Sequence, residues 1–468
     1  MAITGQLRDF SLGTDNQKLV IRNLDGTLSG NASEGLLRLD SPAAEIILAG
    51  AETHYLLNEL RGDIHWQRAG DTVQLETAHL QAHTPHFHAR LQGSLRFAPD
   101  GGAPLADLQA AISGLELEYL HLYLPELVPK LARDWIKGAL IAGEAESADM
   151  VLRGPLADFP FDQHEGRFEI LAAIHNGTLA YHPDWVPIDN IEAEVRIDGR
   201  NLTVDAHAGN IYNAEITHAQ AMIEDLGKAQ AVVAQGTIRS QTGDALTFIH
   251  NTPLSASTLL REVTRHKLDG AFTLDLDVGV PFHGMPVTYQ GDLDFTDTTL
   301  NTSTLGIEIA NISGAISFAN DGVTTDHLTG TYAGEPVTLD IAPAGASGLT
   351  FGITGLADES FITAQLAHFF PGLRRYADLL TDRMSGSSAW TALLSPQLTT
   401  GGDLTDTVSL RISAPLSGLA IELPAPLGKK HEARALEITS VISPDPRKQV
   451  RLSYGDVLQG IIALDMND

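Results

Sequence analysis

The chain has 468 residues, enough for more than one buried core, and no cysteine, which excludes disulfides, thiol catalysis and most structural zinc sites. Its 59 acidic residues outnumber 30 basic ones, a net charge of −29, and this excludes the basic footprint that nucleic acid or an anionic membrane face demands. A hydrophobic content of 43% is that of a globular protein. No apolar run approaches the ~18 residues of a membrane span, and Met1-Ala2-Ile3-Thr4 lacks the basic and apolar parts of a signal peptide.

Residues 1–114 read as strands. Gly62-Asp63-Ile64-His65-Trp66 and Gly93-Ser94-Leu95-Arg96-Phe97 each place a glycine ahead of alternating polar and apolar residues. Period two puts Ile64, Trp66, Leu95 and Phe97 on one face, and each glycine is read as supplying the positive φ of a tight hairpin. Residues 115–142 read as a helical insertion: Leu127, Leu131 and Trp135 share a face at i, i+4, i+8, with Pro129 in the first turn. Residues 143–243 return to strands, with Gly166-Arg167-Phe168-Glu169-Ile170, Gly177-Thr178-Leu179-Ala180-Tyr181 and a hairpin signal at Asn176-Gly177. Here Phe168, Ile170, Val195 and Ile197 are the face candidates.

A second helical insertion is expected over 244–268, in Asp244 to Ile249 and Ser257 to His266, broken at Pro253. Residues 269–356 hold the longest strand, Gly270 to Val280, with Leu274, Leu276 and Val278 on one face and Asp275 and Asp277 on the other. Gly291-Asp292-Leu293-Asp294-Phe295 and Gly314-Ala315-Ile316-Ser317-Phe318 repeat the pattern, and Asp321-Gly322 signals a hairpin. Ile307, Ile309, Ile316, Phe318 and Leu339 join the face. A third helical insertion is expected over 357–395, with its amphipathic core at Leu373 to Met384. Residues 396–468 are a last strand segment containing Leu410 and Ile412.

No helix follows each strand, so a parallel α/β sheet is excluded, and no fixed repeat length appears. About 30 strands at ~4.8 Å would make a sheet roughly 140 Å long. Such a sheet must curl, split or find cover, and three short helical insertions cannot cover it. Pattern alone leaves a sandwich, the commoner outcome, or a trough with an apolar floor.

One set of blocks carries more. Leu152-Arg153-Gly154-Pro155-Leu156-Ala157-Asp158-Phe159-Pro160-Phe161 is followed by Gly177 to Ile188 and Glu194-Val195-Arg196-Ile197-Asp198-Gly199, then Leu423-Pro424-Ala425-Pro426-Leu427-Gly428-Lys429 and Tyr454-Gly455. Together they resemble the central portion of the YhdP family, in the AsmA-like group related to TamB. The resemblance covers most of the chain and is looser over the first hundred residues. It implies a long β-groove with a hydrophobic interior, standing in the periplasm, anchored in the inner membrane by an amino-terminal helix and engaged in phospholipid transport to the outer membrane. Family members are far longer, so the chain is expected to be a segment lacking that anchor and the far carboxyl-terminal part.

No hydrolase elbow, phosphate loop, zinc-protease or dinucleotide motif is present. Asp275 and Asp277 project together but read as a solvated strand face. His79, His83, His86 and His88 are the best metal candidates, with His86 and His88 on one side of a strand; no acidic partner is fixed by spacing, so no metal is expected. Asn176-Gly177-Thr178 and Asn201-Leu202-Thr203 read as turn residues. Arg153 either forks a lipid phosphate or pins its turn by pairing with Asp158; the structural role is preferred.

The resulting expectation is a mainly β fold: an elongated, curled antiparallel sheet forming a hydrophobic groove, with a few short helices. It is non-enzymatic, needs no cofactor, binds no nucleic acid and is monomeric. Phospholipid acyl chains lie on a floor lined by the eighteen face residues named above, and the two membranes are reached through parts outside this chain. The alternative is a β-solenoid or adhesin-like spacer with a dry core.

Overall fold

The computed structural model describes residues 3–13, 19–48, 54–98, 102–124, 128–163, 165–228, 231–252, 266–281, 286–302, 306–320, 322–344, 348–369, 380–398, 404–443 and 447–465. The fold is mainly antiparallel β with a few short helices, and it does not close into a barrel. The chain divides into two compact units, Met1–Thr237 with Asp277–Thr288, and Ile238–Leu276 with Tyr289–Asp468.

The first unit begins with β1 (Ile3–Gly13), β2 (Leu19–Gly30), β3 (Glu34–Ser41), β4 (Ala44–Leu48), β5 (His54–Leu57) and β6 (Glu59–Ala69). It continues with β7 (Thr72–His83), β8 (His88–Phe97), β9 (Leu105–Glu116), a 3-10 turn at Leu117–Leu122 and α1 (Lys130–Ala139). Then come β10 (Leu140–Pro155), β11 (Arg167–Leu179), β12 (Ile188–Asp198), β13 (Asn201–Ile211) and β14 (Ala214–Ile223). From β6 to β14 each strand pairs with the next, a simple meander. Before it, β2 pairs with β1 on one side and splits its other side between β3 and β4, while β3 pairs with β6 and β4 with β5.

The chain passes through β15 (Ala231–Gln241), α2 (Thr242–His250), β16 (Lys267–Pro281) and β17 (Thr288–Asn301). In the second unit follow β18 (Glu308–Ala319), β19 (Gly322–Tyr332), β20 (Glu335–Ala344), β21 (Gly348–Asp358), α3 (Glu359–Phe369) and β22 (Met384–Leu398). It ends with β23 (Leu404–Ala414), β24 (Leu419–Ile421), β25 (Leu436–Ile442), β26 (Arg447–Tyr454) and β27 (Leu458–Asp465). The meander runs β17 to β23 and on through β25, β26 and β27, with β24 on the first residues of β22.

The repeated glycines do not make the hairpins. Gly62, Gly93, Gly177, Gly291 and Gly314 lie inside strands, and so does the Asn176-Gly177 pair. At Gly62, Gly93 and Gly314 a Cβ would meet a backbone oxygen of the next strand at 2.3, 2.0 and 2.5 Å. Glycine is needed where backbones approach this closely. The neighbouring strands bulge at several of these points. Asp9, Asn23, Asn176, Asn190, Asp297, Asn311 and His327 all hold positive φ, between 49° and 60°, and each falls at a register shift. Asn, Asp and His tolerate this conformation best among non-glycine residues. A bulge bends its strand and adds twist, so these residues set the local curvature together with Gly62, Gly93 and Gly314, which also hold positive φ at register shifts. The next residue then turns inward: Leu24 after Asn23 is 1% exposed and Thr298 after Asp297 is 0% exposed. At Asp321-Gly322 a hairpin does form, closed by the pair Ala319 and Gly322, with Asp321 itself outside the described residues.

Helices occur in each of the three expected regions, with different limits. Pro129 precedes α1 as its cap residue; of the expected shared face, Leu131 is 56% exposed, Trp135 is half-buried, and Leu127 lies outside the described residues. α2 falls on Asp244 to Ile249, whereas Ser257 to His266 lies almost wholly outside them. The third insertion is corrected most. α3 is helical within it, Leu373 to Met384 lies mostly outside the described residues with Leu380 and Thr381 helical, and Met384–Leu398 is the strand β22. Its alternation of Trp390, Ala392 and Leu394 is strand periodicity, satisfied by eight registered pairs with β21 from Phe351↔Leu394 to Asp358↔Ser387.

Candidate functional site

In an antiparallel ladder directly opposed residues share a face. In the second unit this aligns Leu339, Ile353, Ala392, Ile412, Ile438 and Leu452 in one row across six strands. Beside it runs Ile341, Phe351, Leu394, Leu410, Ser440 and Val450. The rows merge with a buried cluster of Ile309, Ile312, Leu328, Val337, Ile353 and Ala392, against which Ile307, Ile316, Leu339, Leu410 and Ile412 pack. Six of the expected face residues therefore come together: Ile307, Ile309, Ile316, Leu339, Leu410 and Ile412. Of these only Ile309 is fully covered, at 3% exposed; the others are half-buried. Phe318 lies over Gly291, where a Cβ would be 2.8 Å from its ring.

The first unit has the same construction. Leu91, Ala110, Met150, Ile170, Ile197, Leu202 and Ile223 form one row across seven strands, and all of them are half-buried. The adjacent row is Ala89, Ile112, Ala148, Ala172, Val195, Val204 and Ala221. This unites Ile170, Val195 and Ile197. Phe168 opposes Leu152 with its ring 5.0 Å from that of Phe159. Leu95 and Phe97 oppose Leu75 and Val73, and Trp66 lies over Gly35. Ile64 instead joins a closed corner with Leu24, Leu39, Leu57 and Leu60. Leu274, Leu276 and Val278 are half-buried at alternate positions of β16 and belong to none of these clusters.

Charged residues carry cross-strand ion pairs: Arg38 with Asp63 at 3.0 Å, Arg61 with Asp40 at 2.7 Å, and Arg196 with Glu169 at 3.2 Å. The hydrogen bond from Arg38 holds the Asp63 carboxyl below its usual range. Arg153 pairs with Asp107 at 2.9 Å, not with Asp158, because Asp107 is its direct partner in the β9–β10 register. Asp275 and Asp277 are exposed on β16. His83 and His88 stack across β7 and β8 with ring centroids 3.9 Å apart, and His86 stacks on Tyr119 at 3.7 Å. His86 lies in the turn before β8, so it does not share a strand side with His88. Among the described residues no three His, Asp or Glu are grouped to hold a metal ion, and no helix is long and apolar enough to cross a membrane.

The sequence profile of the family described as YhdP protein matches residues 1–468. The chain belongs to the YhdP family. A curated relative, the intermembrane phospholipid transporter YhdP of Escherichia coli (strain K12), is 25% identical over 422 residues, covering 87% of this chain and 31% of that protein. The chain thus spans less than a third of the length of this YhdP relative.

Two of the blocks that carry the YhdP resemblance build turns, while Glu194 to Asp198 lies within β12. Phe161 is buried and holds positive φ, and its ring covers Gly154 and Gly166, where a Cβ would come within 2.9 and 2.7 Å of it. In the Leu423 to Lys429 block the Lys429 ammonium is buried and donates to the carbonyl oxygens of Leu419 and Lys430, and desolvation lowers its pKa. Arg434 Nη1 donates to the carbonyl of Pro426 at 3.0 Å and of Gly428 at 3.2 Å, and Tyr454 donates to Leu427 O at 3.0 Å. Sequence reasoning missed a further cluster in this YhdP-family chain: Trp390 stacks on Phe361 of α3 with centroids 5.8 Å apart, and Tyr332 meets both rings edge-on. The signal was the two-residue spacing of Trp390, Ala392 and Leu394, which reading the region as helix concealed.

Proposed function

We propose that this chain is a segment of an intermembrane phospholipid carrier, in which the apolar sheet face of each unit forms a groove that holds acyl chains while head groups stay in water at the open edge. The observation that carries the reading is the registered apolar rows. Each is six or seven strands wide and most of its side chains are neither exposed nor covered. A sheet packed in a dry sandwich would bury them, so half-burial favours an open groove over a spacer with a dry core. The printed function of the Escherichia coli relative supplies the cargo. Burial at about 0.8 kcal/mol per methylene holds a chain in place, and a floor of Leu, Ile, Val and Ala without charges gives sliding no deep trap. The reading is non-enzymatic, places the segment in the periplasm, and leaves both membranes to parts outside it.

The test is organic extraction of the purified chain followed by mass spectrometry, with a photoreactive residue at Ile170 or Leu410. Phospholipid in the extract and lipid adducts at both positions are expected. A folded protein with no lipid and no adduct at either position would overturn the reading.

A further inference from the structure

The indole Nε1–H of Trp390 is buried and has no hydrogen-bond partner among the described residues. Its surroundings explain why. Trp390 opposes Gly355 in β21, and a Cβ on that glycine would be 3.1 Å from both Nε1 and a methyl of Val337. The ring is stacked on Phe361, and the hydroxyl of the neighbouring Tyr332 is donated to Gln365 Oε1 at 2.6 Å. Among the described residues no acceptor faces the N–H. In the first unit the equivalent problem is solved within the chain: Trp135 Nε1 donates to the carbonyl of Tyr181 at 3.3 Å. A buried donor left unpaired costs about 1–3 kcal/mol, and natural proteins keep few of them.

Position adds a second argument. Trp390 stands on the same face as Ala392 and Leu394, two residues further along β22 in the apolar rows. It lies between those rows and an adjoining buried cluster of Ala414, Leu416, Leu419 and Tyr454, where amphipathic aromatics gather: Tyr332, Trp390 and Tyr454. Such residues suit a boundary with one apolar end and one wet end. A diacyl lipid has the same order along its length, from methylenes to ester carbonyls to head group. With its acyl chain on the rows, its ester carbonyl reaches this boundary.

We propose that Trp390 Nε1–H is a hydrogen-bonding station for the ester carbonyl of a glycerophospholipid lying on the second unit's apolar face. The proposal rests on the acyl-chain reading above and deepens it, since it names the lipid group that is recognised. Phe361 covers the indole and must slide off it for the carbonyl to enter. α3 is tied here by the Tyr332–Gln365 bond and by its first turn, where Asp358 Oδ1 accepts the N–H of Phe361 at 2.8 Å.

The experiment compares two short-chain phosphatidylcholines of equal chain length, one ester-linked and one ether-linked, titrated calorimetrically into the full chain and into Trp390→Phe. Phenylalanine keeps an aromatic ring and loses the donor. The variant is expected to lose about fivefold in affinity for the diester and nothing for the diether. Equal loss for both lipids, or for neither, would overturn the station, the latter being the outcome if water alone satisfies the indole. If the native chain binds neither lipid, the acyl-chain reading itself fails. A variant-free check guards against misfolding: the indole proton resonance of Trp390 in the native chain should move downfield with the diester and stay with the diether. No difference between the two would also overturn the station.

Discussion

Two regions of the first unit use the same residue types and reach opposite ends. In the corner formed by β2 to β6, Leu24, Leu39, Ala44, Leu57 and Leu60 are buried together. The Ser41 hydroxyl accepts the N–H of Asp25 at 2.9 Å and donates to its carbonyl at 3.2 Å. In the meander from β8 to β14, equally apolar residues stand in rows and most stay half-buried. The corner closes because β2 bulges at Asn23 and divides its pairing between β3 and β4, which folds the strands over their own apolar side. The meander bulges too, at Asn176 and Asn190, but each strand from β8 to β13 keeps a single partner on either side. Closure here comes from where a strand's pairing is divided, not from how greasy it is.

The largest effect expected from breaking this contrast is at the corner. Leu24→Ala should cost about 3 kcal/mol, read as a lowered denaturation midpoint, and Leu24→Asp should prevent folding of the first unit by burying an unpaired charge. A melting curve of Leu24→Asp matching the native one would show that the corner is not dry. Next is Gly93→Ala, which places a Cβ 2.0 Å from Asp107 O at a φ of +128°. It should destabilise by about 1–3 kcal/mol, checked by urea unfolding; a neutral result would mean that β8 and β9 separate easily.

In the open row, Ile170→Asp should cost less than Leu24→Ala, because water reaches the site, yet it should strongly reduce photocrosslinked lipid in the first unit. The same change at Leu276 extends the test to β16: the protein should fold, with lipid occupancy falling. Folded variants with undiminished lipid capture would sink the groove.

The smallest effect lies in the exposed ion pairs. Arg38 lowers the pKa of Asp63, and Arg200, at 2.7 Å, lowers that of Asp162. A depressed folded-state pKa contributes stability above the unfolded carboxylate value, and that contribution is lost as pH falls through the folded value. Stability should therefore decline slightly on acidification below the ordinary carboxylate range. Double replacement by Asp63→Asn and Asp162→Asn should flatten that limb while leaving neutral-pH melting within a degree or two. An unchanged acid limb would assign it to other carboxylates.

Much of this was legible in the residues themselves. Alternation at Phe168-Glu169-Ile170 or Ile307 to Ile309 is local information, and it assigned those side chains to one face before any pairing was known. Arg153 was visibly a partner in search of an acid, but whether that acid was Asp158 or Asp107 depended on register. β22 was misread because residues 357–395 read as one helical insertion, whereas eight pairs with β21 make Met384–Leu398 a strand.

By itself, then, the sequence determined the strand-rich class, the sidedness of strands such as β11 and β18, and the family, because these rest on period-two patterning and on contiguous blocks. Only the tertiary structure decided which strands meet, which glycines face a neighbour's backbone, where Asn and Asp bulges turn a ladder into a closed corner, and that the indole of Trp390 ends without an acceptor. Each of those depends on residues far apart in the chain being brought to within a few ångströms, and no local pattern encodes that distance.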